Sequence, residues 1–312
     1  MGLLVKGKWQ NEIQDEKSIK MDGPIRDWIT KDGEPYGDKK TYPAEKGRYH
    51  LYVSLACPWA SRALMARKIK GLEDLVGLSI VNPIMSEKGW SFEAYEGSTK
   101  DKIYGFDFMK DIYTKSKEDY TGKVTVPVLF DTVEEKIVNN ESADIIRIFN
   151  EAFNDLGAKD IDLYPEDLRS EIDEINEFVL DRINSGVYKA GLAKTQEEYE
   201  KAVKRVFEGL DRIEEILSKN KFLLGENFTE ADIRLFTSLV RFDPVYYHLF
   251  KCNLRPLTSY KNIWLYTREI YHMEGIAETV DIKQIKEHYY KADALINREK
   301  IVPLGPEIDF SF

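Results

Sequence analysis

Two cysteines occur in the 312-residue chain, and one of them, Cys57, stands where a thiol could do chemistry. It follows a β-rich run over residues 49–54 and precedes Pro58. Proline is favoured at the first helical position, because its missing N–H would have no partner there anyway. Cys57 is therefore expected to cap a helix N-terminus, where open backbone N–H groups and the positive end of the helix dipole favour thiolate over thiol. A thiol so placed has its pKa lowered below the ordinary value of about 8.5 and becomes a nucleophile. The competing reading is a buried structural cysteine, and Cys252, in a Tyr- and Phe-rich stretch, keeps that reading.

Pro127 lies between Val126 and Val128 at the start of another β-rich run. Proline removes a ladder hydrogen bond and is tolerated at first or edge positions of a strand, which is one reading. The other is a cis-proline that turns the Val126 backbone toward the thiol, leaving its N–H and C=O to pair with a bound peptide. Both stay open. In Asn139-Asn140-Glu141-Ser142 a polar cluster separates a strand from a helix. Its N–H groups and the Ser142 hydroxyl could receive a carboxylate, with Glu141 meeting an ammonium of the same ligand. Plain helix capping is the alternative.

The elements that must position these residues follow from periodicity and punctuation. Residues 1–46 carry Gly23-Pro24, Gly33, Pro35, Gly37 and Pro43 without a sustained apolar period, so an irregular arm is expected. Strands over 49–54 and 76–81 flank a helix over 58–70 closed by Gly71, a βαβ unit. A loop containing Trp90, a helix over 106–117, two close and hence antiparallel strands over 126–130 and 136–138, and a helix over 142–153 complete a thioredoxin-like order. After a polar link over 155–165, helical periodicity takes over. Helices are expected over 166–182, 195–219, 233–242, 257–273 and 282–292, with capping boxes at Thr195/Glu198 and Thr229/Asp232 and with Pro244 ending the third. The expected organisation is an arm over 1–46, an α/β thioredoxin-like domain over 47–154 and an all-α helical bundle over 165–312.

Composition narrows the function classes. A net charge of -10 with acids and bases interleaved argues against a nucleic-acid partner. No apolar run is long enough to span a bilayer, and the first ten residues lack the apolar core of a secretory signal. Two cysteines make a disulfide framework improbable and a reducing, cytosolic home natural. Four scattered histidines give no ligand spacing for a metal.

Cys57-Pro58-Trp59-Ala60-Ser61-Arg62, Thr125-Val126-Pro127-Val128-Leu129 and Asn139-Asn140-Glu141-Ser142 together resemble the glutathione transferase superfamily, specifically its xi class, the glutathionyl-hydroquinone reductases. Gly89-Trp90-Ser91-Phe92, Asn184 to Gly191, Arg241-Phe242-Asp243-Pro244-Val245-Tyr246, and His288-Tyr289-Tyr290 before Ile301-Val302-Pro303 carry the likeness across most of the chain. The resemblance implies Cys57 as nucleophile, Val126 and Pro127 beside the cysteinyl part of glutathione, and Glu141 with Ser142 on its γ-glutamyl end. It implies Trp90 packed over glutathione, although most tryptophans are simply buried. Where the class usually has an arginine for the glycyl carboxylate, this chain offers Lys110 or Lys123, which bring charge without the bidentate fork.

Among 18 tyrosines, the resemblance selects Tyr188 and Tyr289 to line an aromatic pocket, with Tyr290 competing for the second place. The implied activity removes glutathione from glutathionyl-hydroquinones through a Cys57–glutathione mixed disulfide, with glutathione as co-substrate and no metal. Rival readings are conjugation of glutathione to electrophiles, or a noncatalytic glutathione-binding scaffold. The resemblance also implies a homodimer.

Overall fold

The first 46 residues, expected to be irregular, carry four short strands: β1 (Leu3–Val5), β2 (Lys8–Gln10), β3 (Trp28–Thr30) and β4 (Thr41–Pro43). The computed structural model describes residues 2–11, 19–292, 297 and 299–312. β1 and β2 form an antiparallel hairpin whose two-residue turn places Lys6 and Gly7 at positive φ, as the strand twist favours. Gly7 passes so close to Glu118 that a Cβ there would fall 2.0 Å from its carbonyl oxygen. β3 and β4 pair in parallel. Runs of three residues show no period that a reader of the sequence could detect, which explains the difference.

The residues group into two compact units, Met1–Ile161 and Asp162–Phe312. In the first, β5 (Tyr49–Val53), α1 (Pro58–Ile69) and β6 (Val76–Ile80) form the βαβ unit, and β5 pairs with β6 in parallel. α2 (Met109–Ser116) follows, then β7 (Val128–Asp131), β8 (Lys136–Asn139) and α3 (Ser142–Glu151). The sheet order is β6-β5-β7-β8, with β7 antiparallel to both β5 and β8. This is the thioredoxin-like arrangement.

The central strands are buried on both faces, which is why they read as unbroken apolar runs. Leu51, Tyr52, Val53, Val128, Leu129 and Phe130 have no exposed surface, and Ile145, Ile148 and Phe149 of α3 join the same core. α1 and α3 pack on one another, and α2 lies on β8. Buried Asp131 accepts two short bonds from Arg48, which holds the start of β5 against the end of β7.

The second unit contains α4 (Arg169–Val179), α5 (Gly186–Gly191), α6 (Gln196–Leu217), α7 (Glu230–Arg241), α8 (Lys261–Tyr271) and α9 (Ile282–Ala292). A short 3-10 turn, Glu166–Leu168, precedes α4, and a π-helical turn, Leu180–Asn184, joins it to α5, which the periodicity does not announce. The Thr229/Asp232 box is complete. At Thr195 the hydroxyl accepts from the Glu198 N–H, but the Glu198 carboxylate reaches Lys194 instead of the cap residue.

Pro244 does not end α7 as expected. The chain runs on through a second π-helical turn, Phe242–Tyr246, whose wider spacing absorbs a residue that has no N–H to donate. The Asp243 carboxylate accepts from the N–H groups of Leu257 and Thr258 and so ties this turn to the segment before α8.

Candidate active site

Cys57 is the N-cap residue of α1, with extended backbone angles, and Pro58 occupies the first helical position. Its carbonyl accepts from both the N–H and the hydroxyl of Ser61, closing the first turn. The side chain is half-buried and makes no cap bond to the helix, so the sulfur is directed elsewhere. The sulfur lies 3.7 Å from the carbonyl oxygen of Val126. The Val126–Pro127 peptide is cis. Pairing of β7 with β5 begins only at Val128, so the main chain of Val126 stands outside the ladder, beside the sulfur.

Glu141 is the N-cap of α3, and its Oε1 accepts from the Ala143 N–H and the Ser142 hydroxyl. The structure thus contains the capping arrangement. A ligand carboxylate seeking the same N–H would replace the Glu141 oxygen, which would release that side chain toward an ammonium.

Three main-chain bonds fix the loop bearing buried Trp90: Asn82 N–H to the Ser91 carbonyl, Phe92 N–H to Asp107, and Met109 N–H to Trp90 itself. The Trp9 indole N–H donates to the Glu87 carbonyl, and its ring covers Gly89, where a Cβ would fall 2.9 Å from the ring. The arm therefore holds this loop from outside.

The two lysines differ in setting. Lys110 Nζ lies 5.3 Å from the Phe108 ring centre, which Lys88 approaches at 5.4 Å. Lys123 is exposed, and its carbonyl accepts from the Tyr120 hydroxyl.

Sequence reasoning misses what holds the Asn139–Ser142 turn. Arg26 binds both carboxylate oxygens of Asp144, at 2.7 and 2.5 Å, and Asn139 donates to the same carboxylate. Asn140 and Ile25 exchange two bonds, N–H to carbonyl and N–H to side-chain oxygen. Burial alone would raise the Asp144 carboxyl, but Arg26, Asn139 and Lys39 outweigh it and hold it below its ordinary value. An arginine 118 positions away from its partner leaves no local signal.

In the second unit, Tyr188 of α5 and Tyr289 of α9 meet hydroxyl to hydroxyl at 2.5 Å. Tyr246, from the π-helical turn, brings its hydroxyl to 3.4 Å from that of Tyr289. Phe250 stacks on Tyr246 at 5.3 Å and closes the cluster against Tyr188 and Tyr289. Burial pushes the Tyr289 phenol well above its ordinary value, and its two tyrosine neighbours add to this while Arg241, itself buried, opposes them.

Tyr290 is not in the cluster. Its hydroxyl is buried, has no hydrogen-bond partner among the described residues, and is pushed up to about 12 by burial. Tyr246 is the member that sequence reasoning omits, because Pro244 reads as the end of the element that carries it. Cys252 keeps its structural reading: it is fully buried, and burial pushes its thiol up to about 12.

A four-stranded thioredoxin-like sheet with a cysteine capping its first helix, followed by a helical bundle, is the glutathione transferase fold. The glutathione S-transferase N-terminal domain family matches residues 56–152, and the C-terminal domain family matches residues 196–269. Glutathionyl-hydroquinone reductase YqjG of Escherichia coli (strain K12) is 48% identical over 98% of this chain and 95% of its own. Glutathionyl-hydroquinone reductase PcpF of Sphingobium chlorophenolicum is 44% identical over 98% of this chain and 96% of its own. The glutathione-bound structure of YqjG matches with a TM-score of 0.92 at 47% identity, covering 99% of this chain and 97% of that one. A xi-class enzyme from Natrialba magadii matches with a TM-score of 0.93 at 42% identity, covering 100% and 95%. The chain belongs to the xi class of glutathione transferases, the glutathionyl-hydroquinone reductase family.

Among the described residues, no cluster of three or more His, Cys, Asp or Glu could hold a metal ion, and no helix is long and apolar enough to cross a membrane.

Proposed function

We propose that this protein is a glutathione-dependent reductase that removes glutathione from glutathionyl-hydroquinones, with Cys57 as nucleophile. The observation that carries this reading is the Cys57 sulfur at the start of α1, 3.7 Å from the Val126 carbonyl. A thiolate there lies beside a main-chain edge able to pair with the cysteinyl part of glutathione. Glu141 and Ser142 take the γ-glutamyl end, Trp90 packs over the tripeptide, and Lys110 or Lys123 meets the glycyl carboxylate.

In the first step the Cys57 thiolate attacks the thioether sulfur. The sulfur–aryl bond breaks, its electron pair goes to the ring carbon, and that carbon takes up a proton. The products are the hydroquinone and a Cys57–glutathione disulfide. In the second step the thiolate of another glutathione attacks the glutathionyl sulfur, releasing glutathione disulfide and restoring the Cys57 thiolate. The net reaction consumes one glutathione per hydroquinone released. Tyr188 and Tyr289 serve the aromatic group: as protonated phenols they can donate to the quinol oxygens and supply the proton that the ring carbon needs. A phenol kept neutral by burial suits that task, and the direction of the Tyr289 shift agrees with it.

The proposal extends to a homodimer in a reducing cytosolic compartment, by analogy with glutathione transferases generally.

The test uses purified protein with glutathionyl-menadiol and glutathione. Wild type is expected to release menadiol and to show a glutathione adduct by intact mass when the second glutathione is withheld. Cys57→Ala is expected to lose both. Turnover by Cys57→Ala would overturn the scheme, and chlorodinitrobenzene conjugation surviving in that variant without reductase activity would favour a conjugating transferase.

A further inference from the structure

Residues 123–127 precede β7 and lie outside its pairing with β5, which begins at Val128. Their main chain must find partners elsewhere, and two tyrosine hydroxyls supply them. Tyr113, on α2 and fully buried, donates to the Thr125 carbonyl at 3.1 Å and accepts from the Thr125 N–H at 3.2 Å. Tyr120, whose ring centre lies 5.0 Å from that of Tyr113, donates to the Lys123 carbonyl. The residue after Thr125 is Val126, whose carbonyl faces the Cys57 sulfur.

The same Tyr113 hydroxyl accepts from the Asn140 side-chain amide at 3.2 Å. A phenolic hydroxyl has one proton and two acceptor positions, so Thr125 and Asn140 together use it completely. Asn140 is fixed from its other side, because its side-chain oxygen accepts from the Ile25 N–H and its own N–H donates to the Ile25 carbonyl. Glu141 and Ser142 follow directly. The last rung of the β7–β8 ladder joins Leu129 to Asn139. Beyond it, the 125–127 segment and the 140–142 segment are tied through one buried oxygen atom.

We propose that Tyr113 is a positioning residue for glutathione. Its hydroxyl sets the separation between the Val126 main chain, which pairs with the cysteinyl part, and the Glu141 and Ser142 groups that take the γ-glutamyl end. A ligand held at both ends is sensitive to an error of about 1 Å in that separation. The inference rests on the glutathione reading above and adds to it a residue too deeply buried to touch the ligand, which acts through two turns that do.

The probe is S-methylglutathione, a thioether without an aryl leaving group, titrated calorimetrically into the full chain, with turnover of glutathionyl-menadiol measured alongside. Tyr113→Phe removes the hydroxyl and keeps the ring. It is expected to weaken the probe about tenfold at unchanged stoichiometry, and to raise KM for glutathionyl-menadiol similarly with kcat within about twofold of wild type. A merely structural loss would lower stoichiometry and kcat together and leave affinity alone. Asn140→Asp keeps the oxygen that Ile25 uses and removes the amide group facing Tyr113, so it tests the tie from its other end with the core position intact. It is expected to weaken the probe about threefold or more. Wild-type affinity in either variant would overturn the inference and leave the glutathione reading standing. Failure of wild type to bind the probe at millimolar concentration would overturn that reading itself.

Discussion

The hydroxyls of Tyr188 and Tyr289 lie 2.5 Å apart and join α5 to α9, and Tyr246 approaches the second of them from a π-helical turn. Tyr289 is thus the shared member of the cluster. Tyr289→Phe removes the hydroxyl that both neighbours address. Turnover of glutathionyl-menadiol is expected to fall by about ten- to a hundredfold, the scale of a lost proton donor. Tyr246→Phe, at the longer contact, is expected to fall less. Affinity for glutathione alone should be unchanged in both. Steady-state kinetics with parallel glutathione titration checks this, and a turnover loss larger in Tyr246→Phe than in Tyr289→Phe would reverse the ranking.

The two cysteines should differ sharply toward alkylation. Cys252 is fully buried, and with its thiol pushed up to about 12 it is scarcely ionised at neutral pH. Iodoacetamide on the native protein is expected to add one group, at Cys57, by intact mass and peptide mapping. Cys57→Ser is expected to add none until the chain is unfolded.

Asp144 provides a test of how the arm is fastened. Its carboxyl is held below the ordinary range in the folded chain, so it contributes stability above its unfolded value of about 3.9 and loses that contribution as pH falls further. Arg26→Gln removes the bidentate partner. Because the Arg26 side chain is half exposed, the expected loss at pH 7 is modest, about 1 kcal/mol. Urea unfolding at pH 7 and again near pH 3 should show the gap between variant and wild type closing on the acid side.

Asp232 behaves oppositely. It accepts from the Leu223 and Thr229 N–H groups and from the Tyr266 hydroxyl, yet burial lifts its carboxyl to about 6. The folded chain then binds this proton more tightly than the unfolded chain, so its contribution to stability declines as pH rises from about 4 to 6. Asp232→Ala leaves those donors unpaired in the interior and is expected to cost about 3 kcal/mol or more. Asp232→Asn should lose less and should flatten the pH dependence of stability between pH 4 and 6.

The cysteine end of the molecule is legible in the sequence because proline marks it twice. Pro58 announces the helix start that Cys57 caps, and Pro127 announces the strand start beside it. Glu141 and Ser142 are legible as a helix terminus, though not which of the two readings the chain adopts. Tyr246 is not legible: a π-helical turn has no residue signature, and Pro244 argues locally for an end that tertiary packing overrides. The arm fails for another reason. Its strands are three residues long, too short to show a period, and the bridges that dock them, Leu4 with Gly122 and Arg26 with Asn139, have partners remote in the chain. Tyr289 and Tyr290 are equivalent by position, and only the bundle's packing assigns them to different surroundings.

Leu4 pairs with Gly122, and Arg26 with Asp144, each across 118 positions. The arm precedes both partners in the chain: the first mooring needs the segment just before β7, and the second needs the start of α3, beyond the β7–β8 hairpin. Docking the arm on these partners closes loops of 118 positions, far longer than the turn that joins β7 to β8. The support that the Asn139–Ser142 turn takes from Ile25 and Arg26 therefore carries a larger loop-closure cost than the β7–β8 hairpin that leads into it.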